Sequence, residues 1–288
     1  MTNRSVGNAS RKLLILDGHA LAFHSWFTSY PNEVFHGFFT MLEDSVEGHN
    51  PSHIIVTFDP PPPTFRHKLY PDYKANRPPA PEVLLEECEY VRDRLDKLGV
   101  TFRVVERYEA DDVIGTLCGR ASMAGFDTVI LTSDLDLLQL VTPSTIVEVF
   151  SQYWPTRQFD LKAAKRRFGG IEPKNIPDYK ALVGDRSDNL PGVPGIGETS
   201  ASALLREYPD LDSVYKELDA IAELPFRGAK RVGRLLTEHR ERAFLMRFLT
   251  TIVCDVPVDV DLDQLTIQET ALTCNGDTAQ IASSPIVS

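Results

Sequence analysis

The chain has 288 residues, 42% hydrophobic and 25% charged, which suits a soluble globular protein of one large domain or one domain with a smaller annex. Its 41 acids against 30 Lys and Arg leave a net charge of −11, which on charge alone argues against a nucleic-acid partner, and no run of 18 apolar residues offers a transmembrane helix. Cys88, Cys118, Cys254 and Cys274 form no C-x-x-C pair, no H-E-x-x-H occurs, and MTNRSVGNASRK lacks the apolar centre of a secretory leader. A reduced, cytoplasmic setting with no membrane partner is therefore expected.

In chain order, KLLIL (12–16) reads as a buried strand ending at Asp17. An amphipathic pattern near 35–47 predicts a helix, and HIIVTF (53–58) a second strand ending at Asp59. PPPP (60–63) and PPAP (78–81) break regular structure on either side of a basic stretch, 64–77, whose local charge is +3. Helices follow at 81–98 and 110–124, the latter opened by YEADDVIG. DTVILTS (127–133) is a third strand, ending at Asp134, and TIVEVF (145–150) a fourth. Strands alternating with helices predict an α/β core with a mostly parallel sheet over residues 12–160. Beyond 160 the patterns are helical, with a second basic stretch at 227–247 of seven Lys/Arg against two Glu. A helical subdomain is expected over 161–262 and a flexible tail over 263–288.

Three strands each end in aspartate, and open α/β sheets bind ligands beyond the carboxyl ends of their strands. Asp17, Asp59 and Asp134 are thus expected in one cleft, joined by Asp136, by Glu109, Asp111 and Asp112 of YEADDVIG, and by Asp185 and Asp188 of GDRSDN. Nine acids in one cleft demand cations, and hard divalent ions with oxygen ligands, two or more of Mg²⁺ or Mn²⁺, are the natural offset. Two such ions are a common device for phosphodiester cleavage. After GDRSDN, the run LPGVPGIGE predicts a glycine turn feeding a helix, whose N–H groups suit phosphate.

Taken together, LLILDGHALAF, VTFD, FRHKLYPDYKANRPPAP, YEADDVIG, TSDLDLLQL and GDRSDNLPGVPGIG, in this order, resemble the bacterial 5′-nuclease (flap endonuclease) family over about residues 12–262. The resemblance implies a PIN-like or resolvase-like core, a helical arch over the cleft at about 64–98, and a helix-three-turn-helix DNA-binding subdomain. It implies that Asp17, Asp59, Glu109, Asp111 and Asp112 serve one metal, and Asp134, Asp136, Asp185 and Asp188 the other. It places Tyr73, Lys74 and Arg77 at the base of that arch, where Lys74 and Arg77, with Arg66 beside them, can contact the scissile phosphate and Tyr73 can stack on a base. It assigns duplex contacts to Gly192, Val193, Gly195, Ile196 and Gly197, with a K⁺ ion at that turn, and the basic stretch adds Arg227, Lys230 and Arg231. The implied substrate is DNA with a 5′ flap or 5′ end, an RNA primer on DNA included, cut by a free-standing monomeric enzyme of replication and repair. Three departures stand out: His24 occupies the place of a usual arginine, the segment from Phe27 to Gly37 is short, and Ser200 follows GIGET where a base is frequent.

Two other readings share these features. A non-catalytic module for branched DNA would need the basic stretches but not nine acids. A PIN-like RNase would need the acids but not the glycine turn. A dinucleotide-binding enzyme is excluded by the lack of G-x-G-x-x-G after a strand and of G-x-x-x-x-G-K-[ST].

Overall fold

The computed structural model describes residues 11–28, 34–153 and 155–267. In chain order its elements are β1 (Lys12–Asp17), α1 (Gly18–Thr28), α2 (Val34–His49), β2 (His53–Phe58), α3 (Phe65–Leu69), α4 (Glu82–Lys97), β3 (Phe102–Val104), α5 (Ala110–Met123), β4 (Asp127–Thr132), β5 (Thr145–Val149) and β6 (Arg157–Phe159). A helical half follows: α6 (Leu161–Arg167), α7 (Ile176–Val183), α8 (Glu198–Glu207), α9 (Leu211–Lys216), α10 (Ala229–Glu238) and α11 (Arg240–Thr250). The strands form one sheet in the order β3-β2-β1-β4-β5-β6, parallel throughout except for β5–β6.

This arrangement explains why the strands read as unbroken apolar runs. Leu13, Leu14, Ile15 and Leu16 of β1 are all fully buried, because helices cover both faces of a parallel sheet. One face packs on α1, α2 and α4 through Leu21, Phe38, Leu42, Leu84 and Val91. The other packs on α5 and continues without a break into the helical half, from Leu13 to Val232 and Leu265. The two halves expected as separate domains therefore share one core.

The elements missed in the sequence have physical reasons. Both β3 and β6 are three residues long and lie at the sheet edges, too short for a periodic signal. Helix α1 carries apolar residues on more than one side, so it shows no polar face. Residues 64–98, expected as an arch, form α3, a series of turns and α4, and α4 buries Leu84, Cys88, Val91 and Leu95 as a flank of the sheet.

Residues 263–267, expected in the tail, pack against the core instead. Ile54 donates its N–H to the Leu265 carbonyl at 2.9 Å, Ile267 donates to Ser52 O at 3.1 Å, and Leu265 is buried. Residues 252–267 thus form a strap back across the core, held by Val253 N–H on Asp112 (2.9 Å) and Val256 N–H on Thr116 Oγ1 (3.0 Å). The remainder of the expected tail, 268–288, lies outside the described residues.

Candidate active site

The winding of the chain reverses at the β1–β4 boundary: β2 and β3 lie to one side of β1, β4 to β6 to the other. A crevice opens beyond the carboxyl ends of strands at such a switch point. Here it is a cleft of about 720 Å³ lined by Asp17, Asp59, Glu109, Asp111, Asp134, Asp136 and Asp185. The expected convergence of the strand-end aspartates is what the topology produces.

Local structure aims each carboxylate. Asp17 accepts from Ala20 N–H (3.1 Å) and from Thr132 Oγ1 (2.8 Å), tying the end of β1 to the end of β4. Asp59 accepts from Ala110 N–H at 2.7 Å, one of the free donors at the start of α5. Asp134 accepts from Asp136 N–H at 2.7 Å and so caps a 3-10 turn, Leu135–Leu140. Asp185 accepts from Ser187 N–H (2.8 Å) and Oγ (2.6 Å).

The acids separate into two groups by their surroundings. Burial, followed by repulsion from Asp59 and Asp134, pushes Asp17 up to about 7. Burial, then Asp134 and Asp17, holds Asp111 well above the usual carboxylate range. Asp134 therefore acts electrostatically on Asp17 and Asp111, across the grouping that the family resemblance implies. The second group is Asp136, Asp185 and Asp188, each offering a carboxylate oxygen within 4.8 Å of the others. Lys180 of α7, missed in the sequence, contacts Asp136 and reaches Asp185 at 2.5 Å. Burial opposes ionisation of Asp185, but Lys180 and Ser187 bring it below the usual range. Both groups fit divalent cations: they are all-oxygen sets, and in the first burial together with repulsion favours protonation of Asp17 and Asp111.

That repulsion gives a testable pH dependence. Folded Asp17 retains a proton up to about pH 7, whereas its ordinary value is 3.8. The folded state then binds more protons than the unfolded state over that window, so stability falls as pH rises through it. In protein stripped with a chelator, the melting temperature is expected to drop from pH 5 to pH 8, Asp17 accounting for a loss of about 2.7 kcal/mol. Mg²⁺ at pH 8 is expected to restore it. A melting temperature that is flat or rising from pH 5 to 8 in chelator would contradict this origin.

Two expected site residues are elsewhere. Arg66 is buried and forks onto Asp112 with two bonds of 2.7 Å, while its remaining N–H groups donate to Leu249 O (2.8 Å) and Thr251 O (2.9 Å). Asp112 has no exposed surface and also accepts from Glu109 N–H at 3.0 Å. Neither faces the cleft, so the contact of Arg66 with phosphate and the service of Asp112 to a metal are both corrected. Asp112 lies one residue after Asp111, and 100° further round a helix points into the core.

Tyr73 is corrected too. Its ring is buried and its hydroxyl donates toward Glu109 Oε2 and Asp188 Oδ2, both at 3.0 Å, so it cannot stack on a base. It serves instead as a brace between two acids. Lys74 does line the cleft, 2.9 Å from Glu109. Burial would favour its neutral form, but Glu109 and Asp188 override this and hold it charged. Arg77 lines the same wall and reaches Asp188 at 2.6 Å. His19, also missed, accepts Asp59 N–H on Nδ1 at 2.9 Å, which fixes the neutral ring with its proton on Nε2.

The glycine turn stands apart from the acids. Gly192 (φ 62°) and Gly195 (φ 82°) take the left-handed conformation, and a Cβ on Gly192 would meet Gly184 N at 2.3 Å. Val193 and Ile196 have buried side chains, and their N–H groups donate to Leu182 O and Val193 O. Gly197 precedes α8 as its N-cap. Gly195 leaves room for Arg231, whose guanidinium would lie 2.5 Å from a Cβ there, so α10 packs its basic face beside the turn. Arg227, Lys230 and Arg231 are exposed on that side, and Arg234, one turn on, extends it.

A resolvase-like α/β sheet with a carboxylate cleft at its switch point, joined to a helical unit with a glycine turn, defines the class: an α/β domain equipped for divalent metals. The family description "5′-3′ exonuclease, N-terminal resolvase-like domain" matches residues 12–169, and "5′-3′ exonuclease, C-terminal SAM fold" matches residues 171–273. The chain belongs to the 5′-3′ exonuclease family.

It is 37% identical over 269 residues to DNA polymerase I of Caldicellulosiruptor bescii, covering 90% of this chain and 31% of that protein. DNA polymerase I of Pseudomonas aeruginosa is 39% identical over 263 residues, 88% of this chain and 28% of that one. The chain therefore spans about a third of the length of these curated relatives. Among solved structures, T5 5′-exonuclease with bound zinc superposes with a TM-score of 0.70 at 22% identity, covering 84% of this chain and 90% of that one. The catalytic core of Rad2 with DNA substrate gives 0.59 at 16% identity, covering 90% and 82%. At these identities the structural likeness establishes the fold.

Proposed function

We propose that the protein is a structure-specific 5′-nuclease, a flap endonuclease and 5′-3′ exonuclease that hydrolyses DNA phosphodiesters at single-strand/duplex junctions. The single observation that carries this reading is the acidic cleft at the β1–β4 switch point, with Lys74 and Arg77 on its wall. Asp17, Asp59, Asp111 and Asp134 would hold one divalent ion, and Asp136, Asp185 and Asp188 a second, Mg²⁺ or Mn²⁺. Such ions lower the pKa of a water and neutralise charge on the phosphate. Glu109 stays ionised beside Lys74 and holds its ammonium in the cleft, where it can bind a phosphate oxygen. Arg77, steadied by Asp188 and by Ser187 O at 3.2 Å, can bind and orient the same group.

The turn at Gly192–Gly197 and the basic face of α10 would grip duplex phosphates and set which linkage reaches the cleft, with a K⁺ ion at the turn as part of this reading. Monomeric action in the cytoplasm, in replication and repair, completes it. The test is a cleavage-product map on a 5′-flap DNA with and without Mg²⁺. Cuts near the junction leaving 5′-phosphate and 3′-hydroxyl ends, only with metal, are expected. No product at the junction overturns the proposal, and cleavage of RNA alone favours a PIN-like RNase instead.

A further inference from the structure

Beside the acidic cleft lies a second, larger depression of about 1010 Å³. One wall is a face of α1, with Ala20, Phe23, His24 and Phe27 at helical spacing. Opposite stand Phe150 and Tyr153 of the β5–β6 connection and Arg166 and Arg167 of α6. Among the described residues no Asp or Glu lines it, whereas seven line the neighbouring cleft. The two depressions share Ala20, Phe23, Ser133, Leu135 and Arg167, so they open into one another. None of residues 64–81 lines the groove, which sets it apart from the Lys74–Arg77 wall.

The chemistry of the lining is specific. Phe27 is 65% exposed and Tyr153 78% exposed, and both line the groove together with Arg166 and Arg167. Leu21, Ala22 and Ser25 of α1 are buried in the core and Ala20 and Phe23 pack partly against it, whereas Phe27 near the end of the helix stands exposed. Burial holds His24 below its ordinary value, and it meets Phe150 edge-on at 5.0 Å. It offers ring surface in this groove, not the charge of the arginine that the family places there.

We propose that this groove seats an unpaired stretch of the DNA substrate leaving the acidic cleft, with bases stacked on Phe27 and Tyr153 and phosphates on Arg166 and Arg167. The inference rests on the proposed nuclease function and deepens it. Aromatic faces beside arginines, free of carboxylates, bind single strands without reading sequence, because every base has a π-face. Duplex is too wide and too stiff for stacking of this kind, so the groove and the α10 face divide the substrate between them.

The test is fluorescence anisotropy in Ca²⁺ with a labelled dT12 strand and, separately, a blunt duplex. Phe27→Ala and Arg166→Ala, both at exposed positions, are each expected to weaken dT12 binding about 5- to 10-fold. Arg166→Ala should also lower the salt slope by about 0.7. Duplex affinity should stay within about twofold of wild type. Lys230→Ala should do the opposite, weakening duplex and sparing dT12. Overturning results are a wild type that does not bind dT12, dT12 affinity unchanged in both groove variants, or equal losses for strand and duplex. The 5′-flap cleavage map reads the function separately: loss of dT12 binding in the variants with no cleavage by wild type would refute the nuclease reading and keep the groove.

Discussion

Asp134→Asn is expected to lower cleavage of a 5′-flap substrate by about 10²- to 10³-fold, with duplex affinity in Ca²⁺ within about twofold of wild type. The substitution removes a charge and little else. The Asn carbonyl can still accept Asp136 N–H, now at 2.7 Å from Oδ1, so the cap of the 3-10 turn survives. The N–H of residue 134 still donates to Thr132 Oγ1 at 3.0 Å, and that hydroxyl still donates to Asp17. What changes is the field: Asp134 raises both Asp17 and Asp111. Its loss relieves repulsion among the acids, so the metal-free protein should melt at a higher temperature at pH 8 while turnover collapses. That pairing of gained stability and lost rate marks a charge retained for metal binding at a cost to the fold. Turnover within tenfold of wild type would remove Asp134 from the metal group.

Arg66→Ala should act in the reverse sense, on the fold and not on the chemistry. It leaves the fully buried Asp112 carboxyl without its partner, a loss of about 3–5 kcal/mol. It also strips the Leu249 and Thr251 carbonyls, at the end of α11, of their donors. Arg66 joins α3, α5, α11 and the strap at 252–267, so several elements loosen together. Arg66→Lys should recover little, because an ammonium cannot fork onto a carboxylate. A melting temperature lower by about 10 °C, with kcat at low temperature within a few-fold of wild type, is expected. If Arg66 touched the scissile phosphate, thermal melts would be unchanged and kcat would fall; the two assays side by side decide it.

Most of the cleft was legible in the sequence because its logic is topological. An aspartate at the end of each buried strand can hardly avoid the crevice of a parallel sheet. Asp17, Asp59 and Asp134 follow from that rule, and GDRSDN follows from the spacing of two further acids ahead of a glycine turn. Lys180 and His19 were not legible. A lysine inside a helical apolar pattern, KALV, and a histidine after a strand carry no signal of their own. Their importance comes from what folds against them.

The sequence by itself determined the four longer strands, the inventory of acids, the basic stretches and the family, because these depend on residue type and order along the chain. The tertiary structure alone decided how those residues divide. In YEADDVIG, Asp111 and Asp112 are identical in kind and adjacent in chain, yet one faces the cleft and the other is locked to Arg66 in the core. Tyr73 and Lys74 part in the same way, one a buried brace and the other a cation on the wall. The physical reason is common to both pairs. Which side of an element meets the core is set by packing against distant segments, here α11 and the strap for Arg66, and Asp188 for Tyr73. A local sequence pattern carries no term for a neighbour more than a hundred residues away.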